Sequence, residues 1–153
     1  MFLWRISSHA TLEGRGGLLT PARWHTEGRR IVYLAESAAG ALLEALVHLE
    51  LVSSRLPSAY KLLKIELSDR ASIKTVSATE LTEDWTANET VTRALGDAWL
   101  AVRKTPLLRV PSALVPETYN VLFNPAHPDS AVAKILWHRE YPWDKRLLTQ
   151  THS

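Results

Sequence analysis

The chain contains no cysteine, which excludes disulfides and thiolate metal ligands at once. It also lacks an apolar run long enough for a membrane helix, because Glu44, His48 and Glu50 interrupt the longest ones. The opening Met-Phe-Leu-Trp-Arg has no basic segment followed by a long apolar one. No secretory signal is therefore expected, and the cytoplasm is the expected compartment. The excess of positive over negative charge is small as well. The formal net charge is +2, and the basic residues are scattered apart from short groups such as Arg29-Arg30 and Arg103-Lys104. A nucleic-acid binder concentrates such residues along one face or one helix, so direct nucleic-acid binding is disfavoured. Familiar catalytic signatures are missing too. There is no GxSxG, no HExxH and no Walker lysine, and the six histidines lie far apart, so no metal site is expected.

What remains is an ordinary globular composition, 46% hydrophobic and 22% charged, over 153 residues. That length suits a single domain spanning 1–153 with a real core. Phe2 to Ile6 alternates weakly and could open a sheet. Ser8 to Pro21, with Gly14, Gly16 and Gly17, reads as a long loop. Ile31 to Ala35 is a short β-branched and aromatic run, hence a strand. Ser37 then caps a helix running to about Ser54, with Pro57 as its stop. Strands are expected at Tyr60 to Leu67, Ser72 to Ser77, Leu107 to Leu114, Tyr119 to Phe123 and Ala133 to Tyr141. A second helix should start after Asn88 and run to about Arg103, ahead of Pro106. Strands outnumber helices without regular β-α-β alternation, which points to a single compact α+β domain.

The helix in IVYLAESAAGALLEALVH poses the main question, because Glu44 interrupts a very apolar segment. On a helical wheel Leu42, Leu46 and Leu49 gather on one side, and Glu44 aligns with Ser37, Ala41, His48 and Leu51. One reading is a solvent-facing stripe with a Glu44–His48 pair, worth a few tenths of a kcal/mol. The apolar flanks Leu43 and Val47 favour another. A helix apolar on most sides is buried on most sides, and a buried carboxylate needs a cation or several donors. On that reading something cationic faces Glu44, either a side chain or a ligand that develops positive charge.

Other residues add weaker signals. Arg5, in a strand-like segment, and Arg23, in ARWH, could each grip phosphate in a bidentate manner or be surface arginines. Tyr33 could stack on a flat ring or fill core. Ser112, in VPSAL, could point into a cleft or serve a turn. Gly14 to Gly17 lack a complete GxGxxG, so the phosphate signal there is weak.

In their order along the chain these segments resemble the RES domain family. The matching stretches are Arg5, ARWHTEGRRIVYLAES, ALLEALVH, GDAWL, VPSAL and YNVLFNPAHP, which together span almost the whole sequence. The resemblance implies an ADP-ribosyltransferase-like fold, a mixed β-sheet core with flanking helices. It implies the toxin of a bacterial toxin–antitoxin system that cleaves NAD at the nicotinamide–ribose bond, by hydrolysis or phosphorolysis. Transfer of ADP-ribose to a protein is an alternative that the resemblance also implies. NAD is then a substrate, inorganic phosphate a possible co-substrate, and no cofactor is implied. The implied partner is a helix-turn-helix (Xre-type) antitoxin, through which alone DNA would be contacted. Carried over by position, Arg5, Glu44 and Ser112 would be catalytic, and Arg23, Tyr33 and Asn124 would bind NAD. A non-catalytic partner-binding module and an RNA-targeting toxin stand as alternatives.

Overall fold

The computed structural model describes residues 1–52 and 58–148. Seven strands form one sheet: β1 (Phe2–Ile6), β2 (Val32–Ala35), β3 (Ala59–Leu67), β4 (Ile73–Thr75), β5 (Leu107–Pro111), β6 (Tyr119–Phe123) and β7 (Ala133–Pro142). Their order is β4-β5-β6-β2-β1-β3-β7, and every pairing is antiparallel except β4 with β5. β1 and β2 share only one register pair, Trp4 with Ala35, whereas β1 and β3 pair from Phe2 to Ile6. The sheet is thus two well-paired halves meeting at a narrow seam.

Alternation assigns the side chains to two apolar layers. Leu3, Val32, Leu34, Leu63, Ile65, Val121 and Phe123 belong to one buried cluster. The intervening Leu108, Val110 and Leu122 join Trp24, Trp85, Trp99 and Leu100 in a second. Each fully buried leucine or valine of this kind contributes about 1.5–3 kcal/mol by leaving water.

The helices are α1 (Gly16–Leu19), α2 (Ala38–Val52), α3 (Glu89–Val102) and α4 (Lys145–Leu148). Ser37 caps α2 as its residue type predicts, its Oγ accepting the Gly40 N–H at 2.9 Å. Asn88 caps α3, its side chain accepting the Thr90 N–H, and Arg103 closes that helix in the left-handed conformation with φ of 56°. α2 packs on β1 and β2. Just ahead of it, Glu36 is ion-paired to Arg109 of β5, whose guanidinium lies 3.5 Å over the Tyr119 ring of β6. The entry to α2 is therefore tied to β5 and β6, in the same half of the sheet as β2.

Several boundaries differ from the sequence reading. The loop before Pro21 contains a helical turn, α1, closed by the N–H groups of Gly17, Leu18 and Thr20. Gly17 belongs there for space: a Cβ would sit 2.4 Å from the Arg29 carbonyl oxygen. β5 ends at Pro111 rather than Leu114, because the Ser112 hydroxyl accepts the N–H groups of Leu114 and Val115 and turns the chain. β4 is shorter than expected, and α4 was not anticipated. The expected helix end at Ser54 and the stop at Pro57 lie outside the described residues.

Candidate active site

Glu44 occupies the second turn of α2 and is half-buried. Its Oε1 accepts two hydrogen bonds, from Ser112 Oγ at 2.8 Å and from Asn120 Nδ2 at 2.9 Å. Among the described residues no arginine, lysine or histidine lies within ion-pairing distance of it, so the i, i+4 pair with His48 does not form. The carboxylate is held by neutral donors on one oxygen. Oε2 receives no hydrogen bond from the described residues.

The donors come from the strand ends beside α2. Ser112 follows β5 directly, is buried, and donates to Glu44 while its oxygen accepts the Leu114 and Val115 N–H groups. That turn fixes the direction of its hydroxyl. Asn120 sits in β6 opposite Ala35 of β2, and Tyr33 lies two residues further along the same face of β2. Asn120 escaped the sequence reading. The available signal was period-two alternation in YNVLF, which puts Asn120 on the face opposite Val121 and Phe123.

Tyr33 connects this cluster to the ARWH segment. Its hydroxyl accepts the Trp24 N–H at 3.1 Å and lies 2.8 Å from His25 Nδ1. Burial pushes the phenol well above its ordinary range. The hydroxyl is therefore engaged within the protein, and the ring is what remains to meet a ligand. Arg23 directs Nη1 to the Trp85 carbonyl at 3.0 Å, and its Nη2 lies 3.7 Å from Glu89. The rest of its guanidinium fork is available.

A polar stripe along α3 holds this segment from the other side. Thr92 Oγ1 donates to the Arg23 carbonyl at 2.6 Å, and Arg93 Nε to the Ala22 carbonyl at 2.8 Å. Asp97 accepts the N–H and hydroxyl of Thr26 at 3.0 and 2.7 Å. Between them Gly96 admits the loop, since a Cβ there would lie 1.6 Å from the Trp24 carbonyl oxygen.

Arg5 and Asn124 fall outside this hydrogen-bonded set. On β1, Arg5 shares the side of Leu3 by alternation and pairs in register with Leu63. Its Nε is wholly covered and has no hydrogen-bond partner, and burial pulls the guanidinium below its ordinary value. Asn124 is four residues beyond Asn120 and buried. Its side chain donates to the Leu100 carbonyl and accepts the Ala126 N–H, so it builds the turn after β6. Two hollows of about 340 and 500 Å³ lie beside Arg30 and Phe123 and beside Phe2 and Asp69, and neither includes Glu44. Polar geometry rather than cavity size marks the site.

The model of the RES domain matches residues 2–144. The chain belongs to the RES domain family. It is 48% identical over 135 residues to Toxin Res of Pseudomonas putida, covering 88% of this chain and 92% of that protein. The Prs ADP-ribosylating toxin of a Sphingobium species is 38% identical over 95% of each chain. Toxin Res of Photorhabdus laumondii is 36% identical, over 84% of this chain and 85% of its own. Among solved structures, the M. tuberculosis MbcT–MbcA toxin–antitoxin complex contains a chain that superposes with a TM-score of 0.76 at 16% identity. That match covers 92% of this RES domain and 84% of the other chain. The fold is the α+β architecture, a mixed sheet with flanking helices, that the sequence implied, and it is shared with that chain. No helix of the described residues is long and apolar enough to cross a membrane.

Proposed function

We propose that this RES domain protein is the toxin of a toxin–antitoxin pair and cleaves NAD at the nicotinamide–ribose bond. The carrying observation is Glu44, a half-buried carboxylate oriented by Ser112 and Asn120 with no cation paired to it among the described residues. Cleavage breaks the C–N bond heterolytically. The electron pair leaves with nicotinamide, and positive charge develops on the ribose as in glycoside cleavage. A preorganised carboxylate stabilises that charge as it forms, without waiting for solvent to reorganise.

In this reading Ser112 and Asn120 hold Oε1 so that Oε2 faces the ribose. Arg23 offers its free guanidinium edge to the pyrophosphate, and the Tyr33 ring packs on the nicotinamide or its ribose. Arg5, expected at the site from the sequence, lies on the sheet face of Leu3 and Leu63 rather than that of Tyr33 and Asn120, and has no part in this arrangement. Asn124 acts through the shape of the turn after β6. An acceptor then attacks the ribose and loses a proton to complete the exchange.

The relative named as a Prs ADP-ribosylating toxin favours a second reading, in which the acceptor is a protein side chain. The partner is an antitoxin with a helix-turn-helix region of the Xre type, and any DNA contact runs through it. The compartment is the cytoplasm.

Purified protein incubated with NAD should release nicotinamide. The remaining product identifies the acceptor: ADP-ribose for water, its 1″-phosphate when inorganic phosphate is supplied, or a labelled protein. NAD left intact in all three conditions would leave a binding module. RNA cleavage under those conditions would replace the NAD reading with an RNA-targeting one.

A further inference from the structure

His25 is buried and belongs to none of the roles assigned above. Its Nε2 lies 3.0 Å from the Thr20 carbonyl oxygen, which can only accept, so the proton sits on Nε2. Nδ1 is then the acceptor, and the Tyr33 hydroxyl 2.8 Å away must be the donor. The same hydroxyl accepts the Trp24 N–H. Thr20, His25, Tyr33 and Trp24 thus form a directional chain in which every donor meets an acceptor. The chain closes a loop of the backbone, because His25 and Trp24 follow Arg23 directly.

The opposite flank of that loop is gripped by Thr92, Arg93 and Asp97 of α3. Two sides are therefore fixed independently: α3 sets the height of the loop, and His25 ties it to β2. β2 in turn pairs with β6 through Ala35 and Asn120, and Asn120 reaches Glu44. A displacement of the Tyr33–His25 bond would move the Arg23 side of the site relative to Glu44. A misplacement of about 1 Å at a reacting centre costs up to about a hundredfold in turnover.

We propose that His25 is a positioning residue that sets Arg23 and the Tyr33 ring against Glu44 through its Nδ1 acceptor. It touches no substrate. This inference rests on the NAD-cleaving reading for its kinetic consequence, and its structural content stands apart from it. The acceptor function is what matters, so side chains can be chosen to separate it from packing. Asparagine can present an oxygen near the place of Nδ1, whereas leucine fills the space without an acceptor.

His25→Leu is expected to lower kcat for nicotinamide release by tenfold or more at a temperature where it is folded. His25→Asn should recover most of that loss, to within about threefold of the parent. Combining His25→Leu with Tyr33→Phe should add little to Tyr33→Phe alone, since that change already removes the bond that His25→Leu deletes. Hydrogen exchange at the Trp24 amide gives a readout independent of catalysis: slow in the parent and in His25→Asn, at least tenfold faster in His25→Leu. If the parent releases no nicotinamide, the NAD reading fails, and the exchange measurement alone judges His25. Should leucine and asparagine variants be equally impaired, or should Trp24 exchange be unchanged in His25→Leu, the proposal is overturned. If neither variant folds, the His25 imidazole nitrogen shifts judge the bond: an Nδ1 shift that is the same in the parent and in folded Tyr33→Phe overturns the proposal, and an Nδ1 that loses a hydrogen-bonded shift in Tyr33→Phe upholds it.

Discussion

The two long helices solve opposite problems. α2 is apolar around nearly its whole circumference, and its few polar side chains include the one carboxylate that meets Ser112 and Asn120. α3 is amphipathic, with Trp99 and Leu100 in the core and a stripe of Glu89, Thr92, Arg93, Gly96 and Asp97 against the 22–26 loop. α2 offers a charge that folding does not neutralise, and α3 offers hydrogen bonds that complete a loop's backbone. Removing the charge should therefore affect chemistry, while disturbing the stripe should affect stability first. A site assembled this way keeps its costly group on one element and its restraints on another.

The largest expected effect tests the α2 half of this contrast. Glu44→Gln preserves size and removes charge. Nicotinamide release should fall by about a hundredfold or more, with little change in thermal unfolding measured on the same sample. A folded variant with parental turnover would remove Glu44 from the chemistry.

The α3 half is tested by Gly96→Ala. The added methyl meets the Trp24 carbonyl, a backbone atom that cannot rotate away. Overpacking of this kind costs about 1–3 kcal/mol and sometimes more, so chemical denaturation should show a lower midpoint. Turnover should fall as well, because the loop that must shift carries Arg23. An alanine variant as stable as the parent would mean that α3 is not pressed against the loop.

Smaller effects should come from the two donors to Glu44. Ser112→Ala and Asn120→Ala each delete one hydrogen bond to Glu44, worth about 1 kcal/mol, and Ser112→Ala also leaves the Leu114 and Val115 N–H groups without their acceptor. Each should cost roughly fivefold in turnover. The double variant should exceed either single change, since together they leave Oε1 unheld. Unequal single effects would show which donor sets the carboxylate's direction.

The smallest expected effect is a pH dependence. Burial lowers the His25 pKa, opposed by the Thr20 and Gly17 carbonyls and Asp97, with Arg93 lowering it further. The unfolded chain then takes up a proton on this residue that the folded chain refuses. Stability is full above the ordinary histidine value of about 6.5 and declines as pH falls below it. Thermal unfolding between pH 7.5 and 5.5 should slope less steeply in His25→Asn than in the parent.

Much of this was legible in one dimension. Period-two alternation located the strands from Phe2 to Ile6 and Tyr60 to Leu67, and the capping residues Ser37 and Asn88 located the helix starts. Those signals are local, set by backbone sterics and by orphan N–H groups at helix ends, so neighbouring residues suffice to reveal them. The oddity of Glu44 in an apolar helix was legible for the same reason. Its partners were not. Ser112 and Asn120 lie 68 and 76 residues from Glu44, and only the order β5-β6-β2 brings them to it. Equally, nothing local distinguishes Asn120, which holds the carboxylate, from Asn124, which folds a turn, or makes Gly96 anything but a weak helix residue until Trp24 lies against it. Residue types and periodicity thus determined the elements and the residue worth asking about. The pairing of distant strands, which depends on burying both sheet faces at once, decided what that residue is held by and which way it faces.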